Sequence, residues 1–122
     1  MWPCPREAFN SISHQLGAIF SLFITALYLV YTADEAVALK WSLLVYGLGT
    51  LGMFLASALY HGIHGSKETI AKLRKLDHIM IYVVIAGGYT PIAVDVLQEP
   101  VGFYVLISIW LFAGIGVLKK LF

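Results

Sequence analysis

The sequence predicts an all-α, multi-pass transmembrane helical bundle with four spans. Two observations carry this. Of the 122 residues, 60% are hydrophobic and only 12% are charged, about half the charged share of ordinary soluble domains. The charges are also clustered, and between the clusters lie four uncharged stretches: Gln15–Ala33, Trp41–Tyr60, Ile79–Val94 and Val101–Leu118, of 19, 20, 16 and 18 residues. An α-helix needs roughly 20 residues to cross a bilayer core of about 30 Å. Eight basic and seven acidic side chains cannot clothe the surface of a soluble domain, so membrane lipids are the first partner implied. A net charge of +1 supplies no field for a polyanion, which excludes a nucleic-acid binder. The one cysteine, Cys4, excludes a disulfide framework and a thiolate metal cluster. Oligomeric state is not legible.

Span one is expected at about 10–33, with Pro5 in its first helical turn. It is too long for the apolar region of a signal peptide, and no clear small-x-small cleavage site follows. Span two is expected at about 41–61. Its Gly47-x-Gly49-x-x-Gly52 run matches a dinucleotide fingerprint as text, but that motif needs a strand before it and a helix start after it. Mid-span, with Gly52 and Ala56 as a small-x-x-x-small pair, close helix packing is the better account. Span three, about 73–94, has the shortest uncharged stretch and ends in Gly87-Gly88-Tyr89-Thr90-Pro91, which disfavours regular helix. Its helix is expected to begin near Lys72, with Leu73 and Leu76 extending the apolar stripe and the cations snorkelling; a re-entrant segment is the alternative. Span four is expected at about 101–118, with Gly114 and Gly116 serving packing. Trp41 and Tyr104 read as interfacial or core aromatics. The connectors are too short to separate domains, so residues 1–122 form one transmembrane domain.

With the N-terminus in the cytoplasm, Arg6, Lys67, Lys72, Arg74, Lys75, Lys119 and Lys120 fall inside and only Lys40 falls outside. The excess of inside cations predicts that orientation, with the C-terminus inside too, in the cell membrane.

That topology gathers polar groups at one level. Glu7, Asn10 and His14 form one stripe at the start of span one. Ser57 and His61, four apart, share a face at the end of span two. Asp77 and His78 stand at the start of span three. The plain reading is that helix ends carry polar residues to cap themselves or meet headgroups; Asp77 could simply pair with Lys72 or Arg74, and His64 is a surface histidine. The functional reading is a metal site. Neutral imidazole ligates zinc and needs an acceptor for its other nitrogen. His61 is the best-placed ligand, with His14 and His78 as possible extras. Asp77 could accept a proton from water, and Ser57 could orient a polar substrate group.

These residues carry a resemblance. Glu7-x-x-Asn10-x-x-x-His14, Ser57-Ala58-Leu59-Tyr60-His61, Leu73-Arg74-Lys75-Leu76-Asp77-His78 and Gly88-Tyr89-Thr90-Pro91, in that order, resemble the bacterial hemolysin III family, grouped with the progestin and adiponectin receptors and more distantly with alkaline ceramidases. The resemblance covers nearly the whole chain. It implies a seven-helix membrane fold with zinc near the cytoplasmic face, His61 as one ligand, Ser57 and Asp77 close to the metal, and two further ligands from a His-x-x-x-His pair in the seventh span. It also implies lipid amide hydrolysis, with ceramide the substrate usually discussed, while bacterial members carry a cytolysin name. No His-x-x-x-His occurs here, so the chain is expected to be a fragment or a truncated product, inactive or incomplete by itself.

Three functions follow as alternatives. In a zinc-dependent lipid amide hydrolase, complete only with the missing spans, His61 binds metal, Asp77 and Ser57 are catalytic, and Glu7, Asn10 and His14 surround and orient them. In a pore or cytolysin, a polar face should run the length of a span; here the polar groups cluster at one end. In a non-catalytic sensor, zinc only ties helices together.

Overall fold

Each uncharged stretch lies largely within one helical segment. The computed structural model describes residues 4–122. Helix α1 spans Ala8–Tyr31, α2 Val37–Gly62, α3 Lys67–Pro91 and α4 Val101–Leu121, with a π-helical turn, Ile92–Val96, between α3 and α4. No strand occurs among the described residues. All four helices, α3 being extended by the π turn to Val96, are long and apolar enough to cross a membrane. The chain is an integral membrane protein by this measure.

The helices pack in chain order: α1 on α2, α2 on α3, α3 on α4. Among the described residues α1 touches neither α3 nor α4. Among the described residues the buried hydrophobic ones are all alanines (Ala18, Ala56, Ala58, Ala86, Ala93 and Ala113), joined by Ser11, Ser21, Ser42, Ser57 and Thr90. Large residues such as Phe20, Phe23, Leu111 and Phe112 face outward. Lipid is as apolar as leucine, so helices in a bilayer meet through small side chains that let backbones approach. Buried hydroxyls find partners on their own helix: Ser21 donates to Ala18 O at 3.0 Å and Thr90 to Ala86 O at 2.8 Å. Trp110 Nε1 then donates to Thr90 Oγ1 at 3.1 Å, tying α4 to α3.

The glycines of α2 divide between two neighbours. A Cβ on Gly47 would strike the Thr25 side chain of α1, while one on Gly52 would stand 2.7 Å from Met80 Cε of α3. This is packing, as the mid-span position predicts. Gly116 presses on the Tyr82 ring, but Gly114 meets nothing within 4 Å. The expectation that Gly114 serves packing within the chain is therefore corrected: it faces outward.

Helix α3 begins five residues before Lys72. Ser66 caps it, accepting the Thr69 N–H at 3.2 Å. Glu68 enters the first turn, where the helix dipole favours an anion, and pairs with Lys72 at 2.7 Å. Gly87-Gly88 does not interrupt the helix, because Gly87 is buried against α2, its Cβ position 3.4 Å from Val45 O. Neighbour packing overrides the weak intrinsic preference of glycine. The irregularity comes after Pro91, which has no N–H to donate. There the ladder widens, and Leu97 N–H donates to Ile92 O, five residues back, at 3.0 Å. Gly102 lets α4 start hard against this turn, since a Cβ there would strike Ala93 O.

Pro5 lies ahead of α1, whose first residue is Ala8, and so is not in its first turn.

Candidate metal site

Helix α2 ends at Gly62, and the last carbonyls of any helix lack intrahelical partners. The segment leading into α1 supplies them. Arg6 N–H donates to Gly62 O at 3.3 Å and Glu7 N–H to His61 O at 2.9 Å. The Arg6 guanidinium donates to Tyr60 O and lies 5.0 Å from the centre of the Tyr60 ring, a cation where the helix dipole is negative. Ser11 Oγ adds a bond to Ala58 O at 3.2 Å.

This seam places Glu7 against His61. One carboxylate oxygen, Oε2, stands 2.8 Å from His61 Nδ1 and accepts from Asn10 Nδ2 at 3.1 Å. The other, Oε1, pairs with Arg6 at 2.9 Å. An ionised carboxylate only accepts hydrogen bonds, so Nδ1 carries the proton. In the neutral imidazole this leaves Nε2 with its lone pair, and no hydrogen bond engages Nε2 among the described residues. The His61 hydrogen bond, with smaller help from the Asn10 bond and the Arg6 charge, holds the Glu7 carboxyl below its ordinary 4.5 against the opposing effect of desolvation. Its folded value is depressed, so this contact stabilises the fold above the ordinary value and is lost as pH falls through the lowered one.

His14 stands beside this pair. Its ring centre is 5.8 Å from that of His61, edge to face, and 5.8 Å from that of Phe54. Its Nδ1 is buried with no hydrogen-bond partner, an arrangement that calls for a water or an ion.

The other predicted residues make no hydrogen bond to this pair among the described residues. Ser57 is buried one turn up α2. Asp77 is half-buried on α3. No hydrogen bond links either to His61 among the described residues. Nor do Lys72 and Arg74 pair with Asp77; Lys72 is committed to Glu68. His78 Nδ1 lies 3.3 Å from Lys120 Nζ, and His64 Nε2 is 2.8 Å from Cys4 O at the surface. No group of three His, Cys, Asp or Glu side chains that could hold a metal occurs among the described residues. The residues present fit one zinc ligand with its carboxylate partner, not a whole coordination shell.

Sequence reasoning counted Arg6 only as an orientation charge. Its adjacency to Glu7 was the available signal. That both reach the end of α2 depends on helix packing.

The family model described as haemolysin-III related matches residues 2–122. The chain belongs to that family. It is 32% identical over 125 residues to the hemolysin-3 homolog of Bacillus subtilis (strain 168), covering all of this chain and 57% of that protein. It is 37% identical over 123 residues to hemolysin-3 of Bacillus cereus, covering 96% of this chain and 53% of that protein. The chain thus spans about half the length of these haemolysin-III relatives. No solved structure matches it.

Proposed function

We propose that this haemolysin-III chain supplies part of a zinc-dependent lipid amide hydrolase that is complete only with further ligands. The observation that supports it is the His61–Glu7 pair, in which a carboxylate fixes the imidazole and leaves Nε2 unengaged. Zinc, when bound, supplies Lewis acidity toward an amide carbonyl. His61 would hold it, with Nε2 the nitrogen left free. Glu7 keeps the proton on Nδ1, and Asn10 and Arg6 keep Glu7 turned toward the ring. Asp77, with no Lys or Arg partner among the described residues, accepts the proton of the attacking water at a carboxylate oxygen and returns it to the leaving amine nitrogen. Ser57 orients the substrate's polar group.

The test is zinc content and amide hydrolysis in the full-length protein. His61→Ala should lose both. Unchanged zinc stoichiometry in the variant overturns the reading. Zinc that leaves with His61→Ala, in a protein that hydrolyses no lipid amide even as wild type, points instead to a zinc-stabilised sensor.

The relatives are named hemolysins, but the polar groups of this chain cluster at one end of its spans instead of running along one, which supports a buried site over an aqueous pore. For orientation, the proposal is the cell membrane with the N-terminus in the cytoplasm. The end holding Arg6, Lys67, Lys72, Arg74, Lys75, Lys119 and Lys120 then faces inward. A reporter fused after Phe122 that works only in the cytoplasm should be active; activity of a reporter that needs export would reverse the assignment.

A further inference from the structure

Beside the candidate metal site, on the same end of the molecule, lies a cavity of about 270 Å³ lined by Tyr60, Gly65, Lys67, Ile70, Ala71 and Arg74. Its four α3 residues stand at i, i+3, i+4 and i+7, which is one face of a helix over two turns. Cations mark the two ends of that face, and Ile70 and Ala71 form an apolar floor between them. Among the described residues neither Lys67 nor Arg74 has an acidic partner. The neighbouring acid, Glu68, is already held by Lys72 at 2.7 Å, and Arg6 is held by Glu7 at 2.9 Å.

We propose that this cavity binds the phosphate-bearing headgroup of an anionic membrane phospholipid. The depth is right: the cavity lies where α2 ends and α3 starts, at the level where a spanning helix meets headgroups. The chemistry is right as well. The planar guanidinium of Arg74 can grip two phosphate oxygens, Lys67 adds a point charge, and the tyrosine offers an amphipathic wall. The general preference for cations on one side of a membrane accounts for their sign. It does not account for two unpaired cations set at opposite ends of one concavity with an apolar floor. A seated headgroup would also adjoin the candidate metal residue, since the Tyr60 ring centre is 4.7 Å from that of His61. The proposal does not depend on zinc or on hydrolysis.

The experiment is native mass spectrometry of the full-length protein from nanodiscs containing equal phosphatidylglycerol and phosphatidylcholine. Phosphatidylglycerol should be the lipid retained. Lys67→Gln with Arg74→Gln should weaken its retention roughly tenfold or more, given what each basic residue contributes near an anionic surface. Lys119→Gln with Lys120→Gln, which removes the same charge from the same end, should leave retention unchanged. The charge-preserving swap Lys67→Arg with Arg74→Lys should keep most of it, which separates lost binding from lost folding. Three outcomes overturn the proposal: equal retention of the two lipids, equal loss in both glutamine pairs, or displacement by millimolar glycerol phosphate, which would assign the cavity to soluble phosphate esters.

Discussion

Replacing Gly47 with alanine will loosen α1 from α2. In a helix interior the change should by itself help by about 1 kcal/mol. Here the added methyl would run into the Thr25 side chain. Thr25 cannot swing away cheaply, because its hydroxyl is held on Ser21 O at 2.7 Å. Overpacking of this kind typically costs about 1–3 kcal/mol, which exceeds the propensity gain. The matching control is Gly114→Ala, where nothing lies within 4 Å; that chain should be as stable as the parent or slightly more so. Unfolding of both variants in mixed micelles measures the difference. If Gly47→Ala is as stable as Gly114→Ala, the α1–α2 seam is not packed as described. The seam matters for function, since it is what brings Glu7 to His61.

In the full-length protein, Glu7→Ala should lower zinc affinity by roughly 10- to 100-fold, the usual cost of removing the group that orients a metal-binding histidine. Two effects add. The Nδ1 proton loses its acceptor, so the imidazole is free to place that proton on Nε2, the nitrogen proposed to bind metal. The ring also loses its anchor at 2.8 Å and becomes free to turn. Glu7→Gln separates them: the amide oxygen still accepts from Nδ1, but the negative charge is gone, so the loss should be smaller. Metal titration of the three proteins gives the order wild type, Gln, Ala. Equal affinity in all three would mean that Glu7 serves only to close the helix ends.

The second result turns on a contact whose two residues stood out in the sequence although their meeting did not; Thr25, the neighbour of Gly47 in the first, carried no such signal. Glu7, Asn10 and His14 could be placed on one stripe because a helix repeats every three to four residues. Ser57 and His61 could be placed on one face for the same reason. The Glu7–His61 contact joins residues 54 apart in the chain, and no periodicity reaches that far. Arg6 shows the limit most clearly. As sequence it is one more cation near a membrane; in the fold it covers the carbonyl of Tyr60 and holds Glu7 in place. Gly87-Gly88 shows the converse, a signal that was legible but misleading. The pair weakens an isolated helix, yet Gly87 lies buried against the α2 backbone and the helix runs through it unbroken.

The sequence by itself determined that this chain lives in a bilayer, how many times it can cross, and which polar residues share a helix face. Those properties follow from apolar length and helical period, which are local. The tertiary structure alone decided which nitrogen of His61 is engaged, where the helix ladder widens after Pro91, and which cations remain unpaired beside Tyr60. Each of these depends on the distance between groups on different helices, and that distance is set by how small residues let the helices pack.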